Sequence, residues 1–92
     1  MANETSPTGT PSPTPAVRVL FFSFAAERMN ARELTVPIRD GTTVRELFAA
    51  WRERLGAPED RFVFAVNEVW APPETVLRDG DVLAVIPPVS GG

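Results

Sequence analysis

The stretch from Thr43 to Gly56 constrains this chain more than any other. Thr43 stands three residues before Glu46, the arrangement in which each side chain serves the other residue's backbone N–H at a helix start. Val44, Leu47, Phe48, Trp51 and Leu55 then recur at the spacing of one helical face. Gly56 is placed to end the helix, and Pro58 follows it. The stripe needs an apolar surface to cover, and its aromatic members read as core packing rather than a cofactor pocket.

Strands supply that surface. Val17-Arg18-Val19-Leu20-Phe21-Phe22-Ser23-Phe24 is β-branched and aromatic, which predicts a strand. Alternation puts Val17, Val19 and Phe21 on one face and Leu20, Phe22 and Phe24 on the other. Apolar residues on both faces suit a central strand, or one whose outer face meets a partner. Glu33 to Ile38 alternates with Leu34, Val36 and Ile38 inward; Pro37 cannot donate to a ladder and predicts an edge position. Asn30, just before, suits a left-handed turn.

Asp40-Gly41 is a turn signal. Phe62 to Val66 predicts a third strand that stops at Asn67-Glu68, with Trp70 and Pro72-Pro73 beyond it. Asp79-Gly80-Asp81 predicts a tight turn, its aspartates serving the turn rather than forming a catalytic carboxylate pair. Val82 to Ile86 is the last strand, ended by Pro87-Pro88. The order β-β-α-β-β, with possible short extras, gives an α+β fold with a helix on one face of a mixed sheet. The first and last strands, both continuously apolar, are expected to pair at its centre.

Composition removes much chemistry. With 92 residues there is room for one small domain and little for a deep active site. There is no cysteine and no histidine, which excludes thiol catalysis, disulfides, a Ser-His-Asp triad and His/Cys zinc sites. No metal or bound cofactor is expected. All nine basic residues are arginine and the net charge is −3, a poor match for nucleic acid or an anionic membrane. No run is long enough to span a bilayer and no signal-peptide pattern is present, so a cytoplasmic location is the expectation. Residues 1–15, rich in Pro, Thr and Ser, cannot bury enough surface to offset ordering entropy and are expected to be a disordered arm. The expected organisation is therefore an arm over 1–15, a domain over 16–87 and a flexible tail over 88–92.

Past the last strand the chain reads Pro87-Pro88-Val89-Ser90-Gly91-Gly92. Extended, these six residues reach roughly 20 Å. The prolines stiffen the exit, and the two glycines leave a thin thread ending in a carboxylate that could enter a narrow channel on another protein. A carboxylate is a poor electrophile until activated.

Asn67-Glu68, the segment Val76 to Gly92 with its Pro-Pro-Val-Ser-Gly-Gly ending, and the opening Val17-Arg18-Val19-Leu20-Phe21-Phe22 together resemble the MoaD family, the small sulfur-carrying subunits of molybdopterin synthase, over about residues 16–92. The resemblance implies a β-grasp (ubiquitin-like) fold. It implies that Gly92 is adenylated by an E1-like (MoeB-like) enzyme using ATP and converted to a thiocarboxylate. The tail Pro87, Pro88, Val89, Ser90 and Gly91 would then enter the active site of a MoaE-like large subunit. There sulfur passes to a cyclic pyranopterin precursor in molybdenum cofactor biosynthesis. The chain would be a non-catalytic carrier subunit, with the catalytic side chains on the partner. The family's apolar partner patch corresponds to Phe22, Trp70 and Ile86. Where family members carry an Arg-Glu pair and then a glycine after the first strand, this chain has Ala26-Glu27-Arg28-Met29-Asn30; Arg28 stands at a shifted position and Asn30 supplies the turn. The alternatives are a carrier serving another acceptor, as in thiamine thiazole synthesis or tRNA thiolation, or a ubiquitin-like protein modifier that transfers to an amine.

Overall fold

The computed structural model describes residues 14–87. The expectations for residues 1–13 and for the tail from Pro88 to Gly92 lie outside the described residues. Along the chain, β1 (Ala16–Phe21) leads to a short helix α1 (Phe24–Met29), then β2 (Glu33–Pro37) and α2 (Val44–Leu55). A 3-10 turn (Glu59–Arg61) precedes β3 (Val63–Val66), β4 (Val69–Ala71) and β5 (Val82–Ile86). The five strands form one sheet in the order β2-β1-β5-β3-β4. The pair β1 and β5 is parallel; β1–β2, β3–β5 and β3–β4 are antiparallel. The two apolar strands sit side by side in the middle, and Pro37 lies on an edge strand, as the sequence requires.

Helix α2 is held at both ends by the residues that announce it. Thr43 Oγ1 accepts from Glu46 N–H at 3.2 Å, and Glu46 Oε1 accepts from Thr43 N–H at 3.2 Å. Gly56, at φ 73, closes the helix in the left-handed conformation. The next two helical N–H groups also find partners: Val44 donates to Thr75 O and Arg45 to Pro73 O. The loop before β5 is thereby strapped to the helix start, and Leu77 on it is buried. Val44, Phe48, Trp51 and Leu55 pack on Val17, Val19, Phe21, Phe64, Leu83 and Val85 from the inner sheet face. Phe21 and Trp51 meet edge to face at 5.2 Å between ring centres, and Phe48 and Phe64 at 5.7 Å.

Two elements differ from expectation. The first strand stops at Phe21, not Phe24. Ser23 turns the chain at φ 55, ψ −135, and Ala25 N–H bonds Phe22 O at 3.0 Å, which starts α1. Phe24 therefore leaves the outer face assigned to it; it packs against the core, 6.0 Å from the ring of Phe62. Asn30 ends α1 in the left-handed conformation, as expected. Second, Asn67-Glu68 does not merely stop β3. Both residues have positive φ (53 and 71), making a two-residue hairpin loop that returns the chain as β4, with Trp70 opposite Ala65.

Two arginines tie the helix ends together. Arg28 Nη1 donates to Leu55 O at the end of α2, at 3.1 Å, while Arg54 Nη2 donates to Met29 O at the end of α1, also at 3.1 Å. Each helix thus caps the other's carbonyl terminus, where cations are favoured.

Candidate functional site

Because β1 and β5 run parallel, their C-terminal ends emerge at the same end of the sheet. The chain that continues toward Gly92 therefore leaves from a central strand, beside the turn from β1 into α1. Pro87, counted with the thread on sequence grounds, is itself buried, so the domain holds the first residue of that thread.

Next to this exit lies an open groove of about 930 Å³, whose lining includes Leu20, Phe22, Ser23, Glu27, Arg32 and Glu33. The groove carries no constellation for acid-base or nucleophilic work. Its Glu33 carboxylate bonds Arg18 Nε at 2.8 Å, and that hydrogen bond, with the charge behind it, holds Glu33 below the usual carboxylate range. Among the described residues no group of three or more His, Cys, Asp or Glu side chains is placed to hold a metal ion, and no helix is long and apolar enough to cross a membrane.

Asp79 and Asp81 do turn work. Asp79 Oδ1 accepts from Ala16 N–H at 2.9 Å, while Asp81 accepts from Arg78 N–H and from Asn67 Nδ2, both at 2.9 Å. Asn67 Oδ1 in turn accepts from Val82 N–H at 3.0 Å, finishing the β3–β5 ladder with a side chain. Arg28 faces inward to α2, its guanidinium carbon 5.6 Å above the Phe24 ring, and is engaged with this chain's own carbonyl and aromatic groups.

Apart from Arg18, Glu33 and Thr35 on β1 and β2, the outer sheet face is largely apolar. With Val17, Val19, Phe21, Leu83, Val85 and Phe64 committed to the core, alternation turns Leu20, Ala84, Ile86, Val63, Ala65 and Trp70 the other way. Trp70 is 70% exposed, and Phe22 and Val63 are each 45% exposed. Ile86 lies opposite Val63, and Phe22 follows β1 with its N–H on Val85 O. Phe22, Ile86 and Trp70, far apart in sequence, therefore share one face beside the point where the chain leaves the sheet. Val63, missing from the sequence reading, belongs with them; its place beside Ile86 follows from a register that a single strand does not reveal.

A core packed under one long helix, with the first and last strands parallel within a mixed sheet, defines a ubiquitin-like β-grasp domain. The family model for the ThiS family matches residues 19–92. This chain belongs to the ThiS family. It is 35% identical over 81 residues to the molybdopterin synthase sulfur carrier subunit of Chlamydomonas reinhardtii, covering 83% of this chain and 98% of that one. It is 38% identical over 81 residues to the subunit of the same name from Mycobacterium tuberculosis, covering 83% and 96%. Among solved structures, a putative molybdopterin converting factor subunit 1 from Pyrococcus furiosus superposes with TM-score 0.69 at 26% identity, covering 83% of this chain and all (100%) of that one. A complex of subunits 1 and 2 of the molybdopterin-converting factor from Helicobacter pylori contains a chain 29% identical, with TM-score 0.58, covering 84% and 99%. The small archaeal modifier protein 1 of Haloferax volcanii shares the fold, with TM-score 0.69 at 22% identity, covering 82% and 99%.

Proposed function

We propose that this chain is the sulfur carrier of a molybdopterin synthase and acts through the carboxylate of Gly92. The reading is supported by a chain that leaves a central strand at the buried Pro87, beside apolar residues of the outer sheet face, with Gly91-Gly92 at the end of the sequence. The names of the relatives support the choice of pathway.

In this reading an E1-like enzyme joins the Gly92 carboxylate to the α-phosphate of ATP and releases pyrophosphate. A donor that delivers sulfur at the hydrosulfide level attacks the acyl carbon, the acyl–phosphate bond breaks and AMP leaves, and one carboxylate oxygen has been replaced by sulfur. The carrier then docks on a large subunit through Phe22, Val63, Trp70 and Ile86, and Pro88 to Gly92 thread its active site. There the thiocarboxylate sulfur bonds to a carbon of a pyranopterin precursor and displaces an oxygen substituent; water then cleaves the acyl–sulfur bond, leaving sulfur on the precursor and returning the carboxylate. This chain supplies the thread, the stiff exit and the docking face. The reacting side chains belong to the partners.

Intact-mass measurement after incubation with an E1-like enzyme, ATP and a sulfur donor should show one oxygen exchanged for sulfur at Gly92. Deleting Gly92 should abolish the change while leaving the fold and its thermal transition intact. An unmodified chain in the presence of a confirmed cognate enzyme, or modification elsewhere, counts against the reading. The likeness to small archaeal modifier proteins favours one second reading, transfer of Gly92 to a protein amine. Isopeptide conjugates instead of released sulfur would identify it.

A further inference from the structure

The end of β5 has a neighbour on each side. Phe21 of β1 lies opposite Val85, and Val63 of β3 lies opposite Ile86. In such a strand successive N–H groups point alternately to one neighbour and the other. The bond from Phe22 N–H to Val85 O, 3.3 Å, sets the phase. Leu83 and Val85 face β1 with their N–H groups; Val82, Ala84 and Ile86 face β3. The bond from Val82 N–H to Asn67 Oδ1 on the β3 side agrees.

If the strand ran on, residue 87 would donate to Phe22 O on the β1 side. Residue 88 would donate toward β3, opposite residue 61. Both neighbours could receive it. Phe22 O accepts from Ala25 N–H but keeps a second lone pair, and Phe62 already has extended backbone at φ −117, ψ 157. A single proline would silence only one of these ladders, because it removes a donor on one side. Removing the donors to both neighbours takes two in succession, and the sequence at this point is Pro87-Pro88.

We propose that Pro87 and Pro88 are paired positioning residues, each removing the ladder donor that faces one neighbour, so that the chain is released from β1 and β3 at the same place. The role of this release in sulfur transfer rests on the carrier reading above. With Pro87 buried, the thread beyond it is residues 88–92, which reach about 16–18 Å when extended. Where the sheet lets go then decides how far Gly92 extends.

The test uses the full ¹⁵N-labelled chain with Pro87→Ala and Pro88→Ala together. The amides at 87 and 88 should be protected from hydrogen exchange at least tenfold over unstructured rates. Sulfur transfer to the large subunit should fall about tenfold or more at subsaturating carrier. Inserting two glycines after position 88 should restore it by returning the lost length. Pro88→Ala alone, which leaves the buried Pro87 in place, should protect only amide 88. Unprotected amides in both variants, unchanged transfer, or a defect that the insertion does not relieve would each overturn the proposal. If the unsubstituted chain accepts no sulfur at Gly92, the carrier reading fails, while the exchange measurement still decides what the prolines do.

Discussion

Replacing Gly56 with alanine tests whether the ends of the two helices are locked together as the arginines indicate. Gly56 sits at φ 73, where a side chain carries a backbone cost of about 1 kcal/mol. A Cβ at this position would stand 2.5 Å from Arg28 Nη1, inside van der Waals contact. The guanidinium, as the far end of a long side chain, is the part that moves. Moving it gives up the 3.1 Å bond to Leu55 O and the position over Phe24. A charge-assisted bond of this kind, discounted because the site is only partly buried, is worth about 1 kcal/mol. The total loss is then about 2 kcal/mol, or roughly 8–16 °C in Tm for a domain of this size. In an Arg28→Ala background the same substitution should cost only its backbone part, about 1 kcal/mol. Urea and thermal melts of the four proteins in this cycle give the coupling directly. If Gly56→Ala costs the same in both backgrounds to within about 0.5 kcal/mol, the contact between Arg28 and the end of α2 does not carry the energy assigned to it.

Thr43→Ala removes the start of α2 and should destabilise the domain by about 1 kcal/mol, seen as a lower urea midpoint at unchanged slope. Glu33 and Glu59 are both held below the usual carboxylate range, chiefly by hydrogen bonds from Arg18 and Arg45 respectively. Their lowered values mean the stabilisation is present above the unfolded carboxylate pKa and lost as pH falls through the folded one. The urea midpoint should therefore hold near neutrality and decline below about pH 4, and Glu59→Gln should flatten that decline; an identical acid limb in the variant removes the ion pair from the explanation. Phe22→Asp, at an exposed position, should leave folding intact and weaken affinity for the large subunit by about tenfold or more, since the charge would be desolvated at the interface. Unchanged binding takes Phe22 out of the docking face.

Much of the frame was legible in the residues. The α2 boundaries follow from Thr43, Glu46 and Gly56, whose backbone requirements are local. The edge place of β2 follows from Pro37. The central place of β1 and β5 follows from two runs with apolar residues on both faces. The errors arose where tertiary contacts override a local pattern. Phe22-Ser23-Phe24 continues the composition of β1, yet Ser23 turns and the Phe24 ring is taken by Phe62. The hairpin at Asn67-Glu68 did carry a signal, an asparagine opening a two-residue loop, but β4 is three residues long and only its pairing with β3 makes it a strand.

By itself the sequence narrowed the chemistry open to this protein: it holds no cysteine, histidine or lysine, and it carries the Gly91-Gly92 pair on which the proposed carrier role rests. It also determined the helix that organises the core, because capping and periodicity are set within a dozen residues. Only the tertiary structure decided where the thread starts and what stands beside it. Parallel pairing of β1 and β5 brings residues some sixty positions apart to one end of the sheet, placing Phe22 next to Ile86 and burying Pro87. That arrangement depends on register between strands distant in the chain, and a one-residue slip would turn the apolar outer face inward and send the tail out elsewhere.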